Sequence, residues 1–231
     1  MAAGPGGLDW ANQPDPFRRY EGAPQIRLAR QGFSKEAPAS SNRSSIAAAL
    51  SAPLNLASLS QLFFESLALS GRKAFAGSSW SLRVNPSSGN LHPIEAYLMA
   101  GPLACYPGND DLQKDDIPAV LHSSPALYHY APQNHSLELL ALISGQSWQR
   151  LGLAENTLLL AFSSIYWRQS WKYGERAFRY CMLDAGHALA AVALAAGCLG
   201  WRTTLQDSMS GPALADLMGL NLPGRPLFVS G

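Results

Sequence analysis

Apolar residues along this chain fall into short runs separated by turn formers, plus one long run of helical period. Leu59, Leu62, Phe63, Ser66, Leu67 and Leu69 follow helical spacing, with Asn55 or Ser58 placed to cap the start and Gly71 to close the end. Residues 95–101 (Glu-Ala-Tyr-Leu-Met-Ala-Gly) predict a buried strand, and residues 126–130 a second, followed by a polar turn through Pro132, Asn134 and His135. Residues 137–143 predict a helix stopped by Gly145, and residues 157–162 a third buried strand. Residues 202–206 and 226–230 predict short strands with a helix over 211–218 between them.

The clearest element is a helix over 175–200. Phe178, Met182, Ala185, Leu189, Val192 and Ala196 repeat at helical spacing, beside a second row of small residues, Gly186, Ala190, Ala193 and Gly197. A glycine inside a helix costs up to about 1 kcal/mol relative to alanine, so two of them mark close backbone approach. The helix is apolar over most of its circumference, which predicts burial in the domain centre or in a dimer seam.

Residues 1–40 differ in character. Their prolines block regular ladders and helices, predicting an extended arm with Trp10, Phe17 and Tyr20 as anchors, ahead of one domain over 41–231.

Composition narrows the class. The 231 residues are 47% hydrophobic and 14% charged, enough for a sizeable core. A net charge of +1 gives no electrostatic case for nucleic acid or an anionic membrane as partner. Cys105, Cys181 and Cys198 are too few and scattered for a disulfide scaffold or zinc site; Cys181 and Cys198 read as small core residues, and no metal is expected. Asp110, Asp111, Asp115 and Asp116 around Lys114 read as a solvated loop. The start has no basic residue and no long apolar run, unlike a secretory signal. The longest uncharged apolar stretch, 188–201, falls short of the roughly 20 residues that span a bilayer. A cytoplasmic location is expected.

Two segments carry candidate chemistry. The first runs from Arg83 through Asn85, Pro86, Ser87, Ser88, Gly89, Asn90, Leu91, His92 and Pro93 to Glu95. Pro86 and Pro93 stiffen its ends, and Gly89 lets a ligand approach the backbone. Ser87, Ser88 and Asn90 offer donors and acceptors, and Arg83 offers a fork for a phosphate. Such a loop suits a polar, planar, anionic ligand, although spacing alone equally fits an ordinary turn. The second runs from Trp171, Lys172, Tyr173 and Gly174 into the long helix through Arg179, Tyr180, Asp184 and His187. Lys172 and Tyr173 are two proton carriers at a turn before a helix start, where the dipole is expected to lower a phenol's pKa. Asp184 and His187 share a helix face, and a structural polar contact between them is the expected reading.

Both segments resemble the nitroreductase superfamily, in particular its SagB-type dehydrogenases, which oxidise thiazolines and oxazolines to thiazoles and oxazoles. The family's Pro-Ser-x-Gly-Asn/Ala-Leu-x-Pro-x-Glu loop is matched by Pro86, Ser87, Ser88, Gly89, Asn90 and His92, and its Lys-Tyr-Gly turn by Lys172 and Tyr173. The resemblance covers roughly residues 42–231. It implies a three-layer α+β fold with a mixed, mainly antiparallel sheet flanked by helices around a long buried central helix. It also implies FMN as cofactor and Lys172 and Tyr173 as the catalytic pair. The family's Arg-Arg-Ser-x-Arg phosphate clamp is represented only by Asn42-Arg43-Ser44-Ser45-Ile46, so Arg43 and Ser44 are the residual cofactor ligands expected there. Relatives also continue beyond the position of Gly231.

The expected function is thus an FMN-dependent oxidoreductase acting on a small-molecule or peptide substrate such as a peptide azoline. It is expected to work as a homodimer or paired with a second similar domain; its opening segment, residues 8–20, resembles the arm of relatives carrying two such domains. Two alternatives stand beside it: NAD(P)H-dependent reduction of nitro or quinone compounds, and a non-catalytic half-domain that pairs with a second copy. The thinned clamp favours the half-domain, and the retained Lys172 and Tyr173 disfavour it. No Gly-x-Gly-x-x-Gly follows a strand, which argues against a Rossmann dehydrogenase.

Overall fold

The computed structural model describes residues 6–29, 51–103, 124–153, 157–207 and 209–220. Arg43, Ser44, Cys105, the acidic cluster near Lys114 and the strand expected over 226–230 lie outside the described residues.

The core is a five-stranded sheet. In chain order its strands are β1 (Gln25–Arg27), β4 (Ile94–Ala100), β5 (Ala126–Ala131), β6 (Ser136–Leu142) and β7 (Leu158–Ser164), arranged β1-β6-β5-β4-β7. Every pairing among them is antiparallel. A separate hairpin, β2 (Leu69–Phe75) and β3 (Ser78–Arg83), precedes β4. The helices are α1 (Leu56–Ser66), α2 (Gly145–Arg150), α3 (Tyr166–Tyr173), α4 (Ala177–Cys198) and α5 (Gly211–Leu217).

Side-chain alternation along the strands makes three layers. Ile94, Ala96, Leu98, Tyr128, Tyr130, Leu137 and Leu139 face α1 and α4 and build the larger core. Tyr97, Met99, Leu127, Leu140 and Ala161 point the other way, toward Trp148 of α2 and Leu214 and Met218 near α5. Burial on both faces explains why these strands read as continuous apolar runs instead of alternating ones.

Local chemistry sets the boundaries. Asn55 caps α1, its side chain accepting from the Ser58 N–H at 3.0 Å while Ser58 Oγ accepts from the Asn55 N–H at 3.1 Å, a reciprocal capping box. The β2–β3 hairpin does not follow from the apolar pattern, and its turn is made by Ala76 and Gly77, both at positive φ. Gly71, expected to close the helix, lies inside β2.

The segment expected as a helix over 137–143 is instead a strand, β6, up to Leu142. Leucine, glutamate and alanine favour a helix locally, but the turn through His135 at φ 49° folds the segment back onto β5, and pairing there buries it. Gly145 opens α2 instead of ending a helix. Residues 202–206 form no strand.

The long helix is present but is covered on one side only. Ala177, Cys181, Asp184, Ala188 and Ala195 face the core, while Phe178 (64% exposed), Met182, Leu183 and Leu194 (73% exposed) face outward. Gly186, Ala190, Ala193 and Gly197 are not buried either, and a Cβ placed at Gly186 or Gly197 meets no atom within 4 Å. The close approach inferred from the small-residue row is therefore not made among the described residues. Together α3, the Gly174 turn and α4 form a helical run, Tyr166–Cys198, long and apolar enough to cross a membrane by length and composition. One face of it, Asp184 included, packs inward, and 33% of its most apolar stretch is buried.

Candidate functional site

The two motif segments converge on Gly89. The loop between β3 and β4 carries a short 3-10 turn, Ser88–Asn90, in which Gly89 has φ +67°. A Cβ there would lie 2.7 Å from Tyr173 Oη and 3.1 Å from Lys172 Nζ, so any added side chain would push these two tips aside, and the positive φ itself favours glycine. Asn90 (φ 59°) and His92 (φ 46°) also hold left-handed backbone. Non-glycine residues there carry strain that surrounding contacts must hold in place.

Those contacts come mainly from α3 and α4. The Asp184 carboxylate, 1% exposed, accepts from Ser87 Oγ at 2.7 Å, the Ser88 N–H at 2.9 Å, Ser88 Oγ at 3.0 Å and Gln169 Nε2 at 2.7 Å. Gln169 Nε2 also donates to the Ser88 carbonyl at 3.2 Å. Arg168 donates to the His92 carbonyl at 2.6 Å and pairs with Glu95. Within the loop, Ser87 Oγ accepts from the His92 N–H at 2.8 Å, and Asn90 Nδ2 donates to the Ser81 carbonyl at 2.9 Å. The expected contact between Asp184 and His187 is not made: Asp184 turns inward to the loop, whereas His187 is not buried.

His92 is neutral in this setting. Burial, then the neighbouring Arg83 and Arg168 cations, push its pKa from 6.5 down to about 3, against an opposing pull from Glu95. With Asn90 Nδ2 committed to Ser81, Asn90 Oδ1 accepts from His92 Nε2–H at 2.9 Å, which leaves His92 Nδ1 as an acceptor with no partner among the described residues. Tyr173 departs from expectation. Burial raises its phenol pKa, with further upward contributions from Tyr180 and Asp184, and Arg176 opposes only in part. The helix-start effect is outweighed, and the phenol is protonated at neutral pH. Its ring packs on Tyr180 at 4.2 Å between centroids, and Lys172 Nζ lies 5.8 Å from its centre.

Arg83 is not open to solvent. Its Nη2 donates to the Pro16 carbonyl at 2.5 Å, and its guanidinium lies over Phe17 at 5.4 Å. The segment that covers it is fastened on both sides. Trp10 packs edge-on against Trp171, whose Nε1 donates to the Asp9 carbonyl, and Tyr20 rests against Tyr97 and His129. Burial lowers the Arg83 pKa to about 10, and among the described residues its Nε–H has no partner.

Beneath the site runs a buried ionic chain that residue patterning does not reveal. Arg168 pairs with Glu95, Glu95 with His129 Nε2 at 3.0 Å, and His129 Nδ1 with Glu138 at 2.8 Å. Burial lowers the His129 pKa, but its bonds to the two carboxylates outweigh this and the net shift is upward; the Glu95 pKa is lowered by His129 and Arg168 against its own burial. The one signal for it is a polar residue interrupting each apolar strand run: Glu95, His129 and Glu138. Among the described residues no group of His, Cys, Asp or Glu is arranged for a metal. Cys181 is buried as expected; Cys198 is exposed, against expectation, and borders a groove of ≈ 400 Å³ with Pro86 and His187.

The orphaned atoms give the loop's ligand chemistry. Among the described residues, Arg83 Nε is a donor without a partner and Asn85 Oδ1 and His92 Nδ1 are acceptors without one, all on the 83–92 segment. A group that satisfied them would have to bear both acceptors and donors.

Comparison with known proteins agrees with this architecture. The model of the Nitroreductase family matches residues 33–230. A protein assigned as a nitroreductase in Methanocaldococcus jannaschii is 25% identical over 167 residues, 70% of this chain and 72% of that one. A solved structure from Anabaena variabilis, described as a nitroreductase, superposes with a TM-score of 0.65 at 27% identity, over 92% of this chain and 39% of its own. The E. coli microcin synthetase McbBCD complex with truncated pro-MccB17 bound superposes with a TM-score of 0.52 at 21% identity, over 73% of this chain and 59% of that chain, a likeness of fold alone. The chain thus spans less than two thirds of each of these two solved structures.

Proposed function

Because the chain belongs to the nitroreductase family of oxidoreductases, we propose that it is an FMN-dependent oxidoreductase of the SagB type, acting on a carbon–nitrogen substrate such as a peptide azoline. The observation that carries this reading is the meeting of the two motif segments, with Lys172 and Tyr173 directly over Gly89. The residues that would hold FMN are Pro86, Ser87, Ser88, Gly89, Asn90 and His92, with Arg43 and Ser44 from outside the described residues. The unpaired donors and acceptors of this loop support a flavin-like ring. Arg83 would reach a phosphate only if the segment around Pro16 and Phe17 moved aside.

When bound, FMN supplies the hydride acceptor for a two-electron oxidation. The chain supplies position and proton handling. Oxidising an azoline to an azole also removes one proton from the ring, and in this reading Lys172 and Tyr173 are the groups that steer it. Tyr173 starts protonated, so at neutral pH it acts first as a hydrogen-bond donor that orients the substrate. The uncovered face of α4 would be closed by a second copy or a second similar domain, since an apolar patch of this kind marks an interface. Nothing in this reading needs a membrane, and a cytoplasmic site is part of it.

The test is reconstitution. Purified protein mixed with FMN is expected to show a perturbed flavin band and quenched fluorescence, and then to oxidise a thiazoline peptide. FMN that stays free in equilibrium dialysis at high micromolar concentration, with the protein folded, defeats the cofactor reading. The family match and the M. jannaschii relative favour a second reading, reduction of nitro or quinone compounds by NAD(P)H. Turnover of menadione with NADPH and none of the thiazoline selects it.

A further inference from the structure

We infer that Gln169 is a positioning residue that locks the 83–92 loop to the Lys172–Tyr173 turn, with Asp184 as the fixed anchor of the lock. The inference rests on the proposed function for what the loop and the turn do, and on hydrogen bonding for how they are joined. Asp184, on α4, holds the loop through Ser87 and Ser88. Gln169, on α3, is the residue that bonds both sides of this contact, donating to Asp184 and to the Ser88 carbonyl. It is fully buried. Lys172 and Tyr173 follow it by three and four positions on α3, so all three share one helix face. A rotation or slide of α3 that moved the two tips off Gly89 would first break the bonds of Gln169. Arg168, next to it, grips the far end of the loop at His92. The lock therefore controls the alignment of the proton-carrying pair, while the bonds of Asp184 to Ser87 and Ser88 and of Arg168 to His92 hold the shape of the loop.

That division makes the inference testable. Gln169→Met keeps the volume and removes both bonds, leaving the bonds of Asp184 to Ser87 and Ser88 in place. The expected result is FMN affinity and thiazoline KM within about threefold of wild type, with kcat at least about tenfold lower, because small misplacements of a reacting group are costly. Fluorotyrosine at position 173, followed by 19F NMR without cofactor, is expected to give a shifted or split resonance in the variant. Gln169→Glu sets two carboxylates together and is expected to regain kcat as pH falls and the two share a proton; wild type is expected to show no such gain. An unchanged kcat with an unchanged resonance overturns the inference, as does a loss of kcat matched by an equal loss of FMN affinity. If wild type takes up no FMN or leaves the thiazoline untouched, the functional reading fails, and the resonance comparison alone still decides the lock.

Discussion

His92 makes the buried polar site accountable to a stability measurement. In the folded chain its pKa is depressed from 6.5 to about 3, by burial first and then by Arg83 and Arg168. In the unfolded chain it titrates near its ordinary value. Between those two values the unfolded state binds a proton that the folded state refuses, so the folded state loses stability as pH falls below 6.5 and the loss levels off near 3. One proton amounts to about 1.4 kcal/mol per pH unit, so His92 alone removes about 3 kcal/mol between pH 6.5 and pH 4. Glu95, whose pKa is lowered, adds a loss at still lower pH. His129 acts in the opposite sense: its raised pKa contributes stability that is full below its unfolded value and is lost as pH rises through its folded one. Comparison with His92→Asn isolates the single residue, and asparagine tolerates the left-handed backbone at φ 46°. Urea unfolding at pH 7, 6, 5 and 4 is the assay. Relative to the variant, wild type is expected to weaken by about 1.4 kcal/mol per unit from pH 6 to pH 4. Parallel curves for the two proteins would show that His92 is not held neutral, and the account of the loop's hydrogen bonding would fall with it.

Three further outcomes are expected. Gly89→Ala combines a backbone of φ +67° with a Cβ 2.7 Å from Tyr173 Oη, so it should displace the pair and lower turnover of the thiazoline at least about tenfold, read against retained FMN absorbance. Lys172→Ala or Tyr173→Phe should cost about 10²- to 10⁴-fold in azoline oxidation with flavin content unchanged. If the phenol is the base, its raised pKa makes turnover climb with pH past the ordinary value of 10.0, and Tyr173→Phe removes that limb of the profile. Ala193→Leu places bulk on the uncovered small-residue face of α4, where overpacking an interface costs roughly 1–3 kcal/mol. Sedimentation equilibrium should then show dissociation, and an unaffected assembly would move the interface elsewhere.

Segments whose conformation is set within a few residues were legible in the sequence. The β4, β5 and β7 strands, the Asn55 cap and the glycine-bearing loop depend on local pattern and turn chemistry. The two motif segments depend on residue order. Elements that depend on distant partners were not legible. Residues 137–143 favour a helix by composition, and only pairing with β5 makes them a strand. The ion chain through Glu95, His129 and Glu138 needs three strands side by side, so each member alone looks like a flaw in an apolar run.

Sequence by itself determined which side chains the two motif segments offer and that a glycine stands in the first of them. Tertiary structure alone decided how they act. It set Tyr173 in an environment that raises its pKa, covered Arg83 with the Pro16 carbonyl and the Phe17 ring, and turned Asp184 from His187 toward the loop. The reason is physical: a residue's identity fixes which bonds and charges it can offer, but its protonation and its partners depend on desolvation and on groups far away in the chain, which only folding brings within a few ångströms.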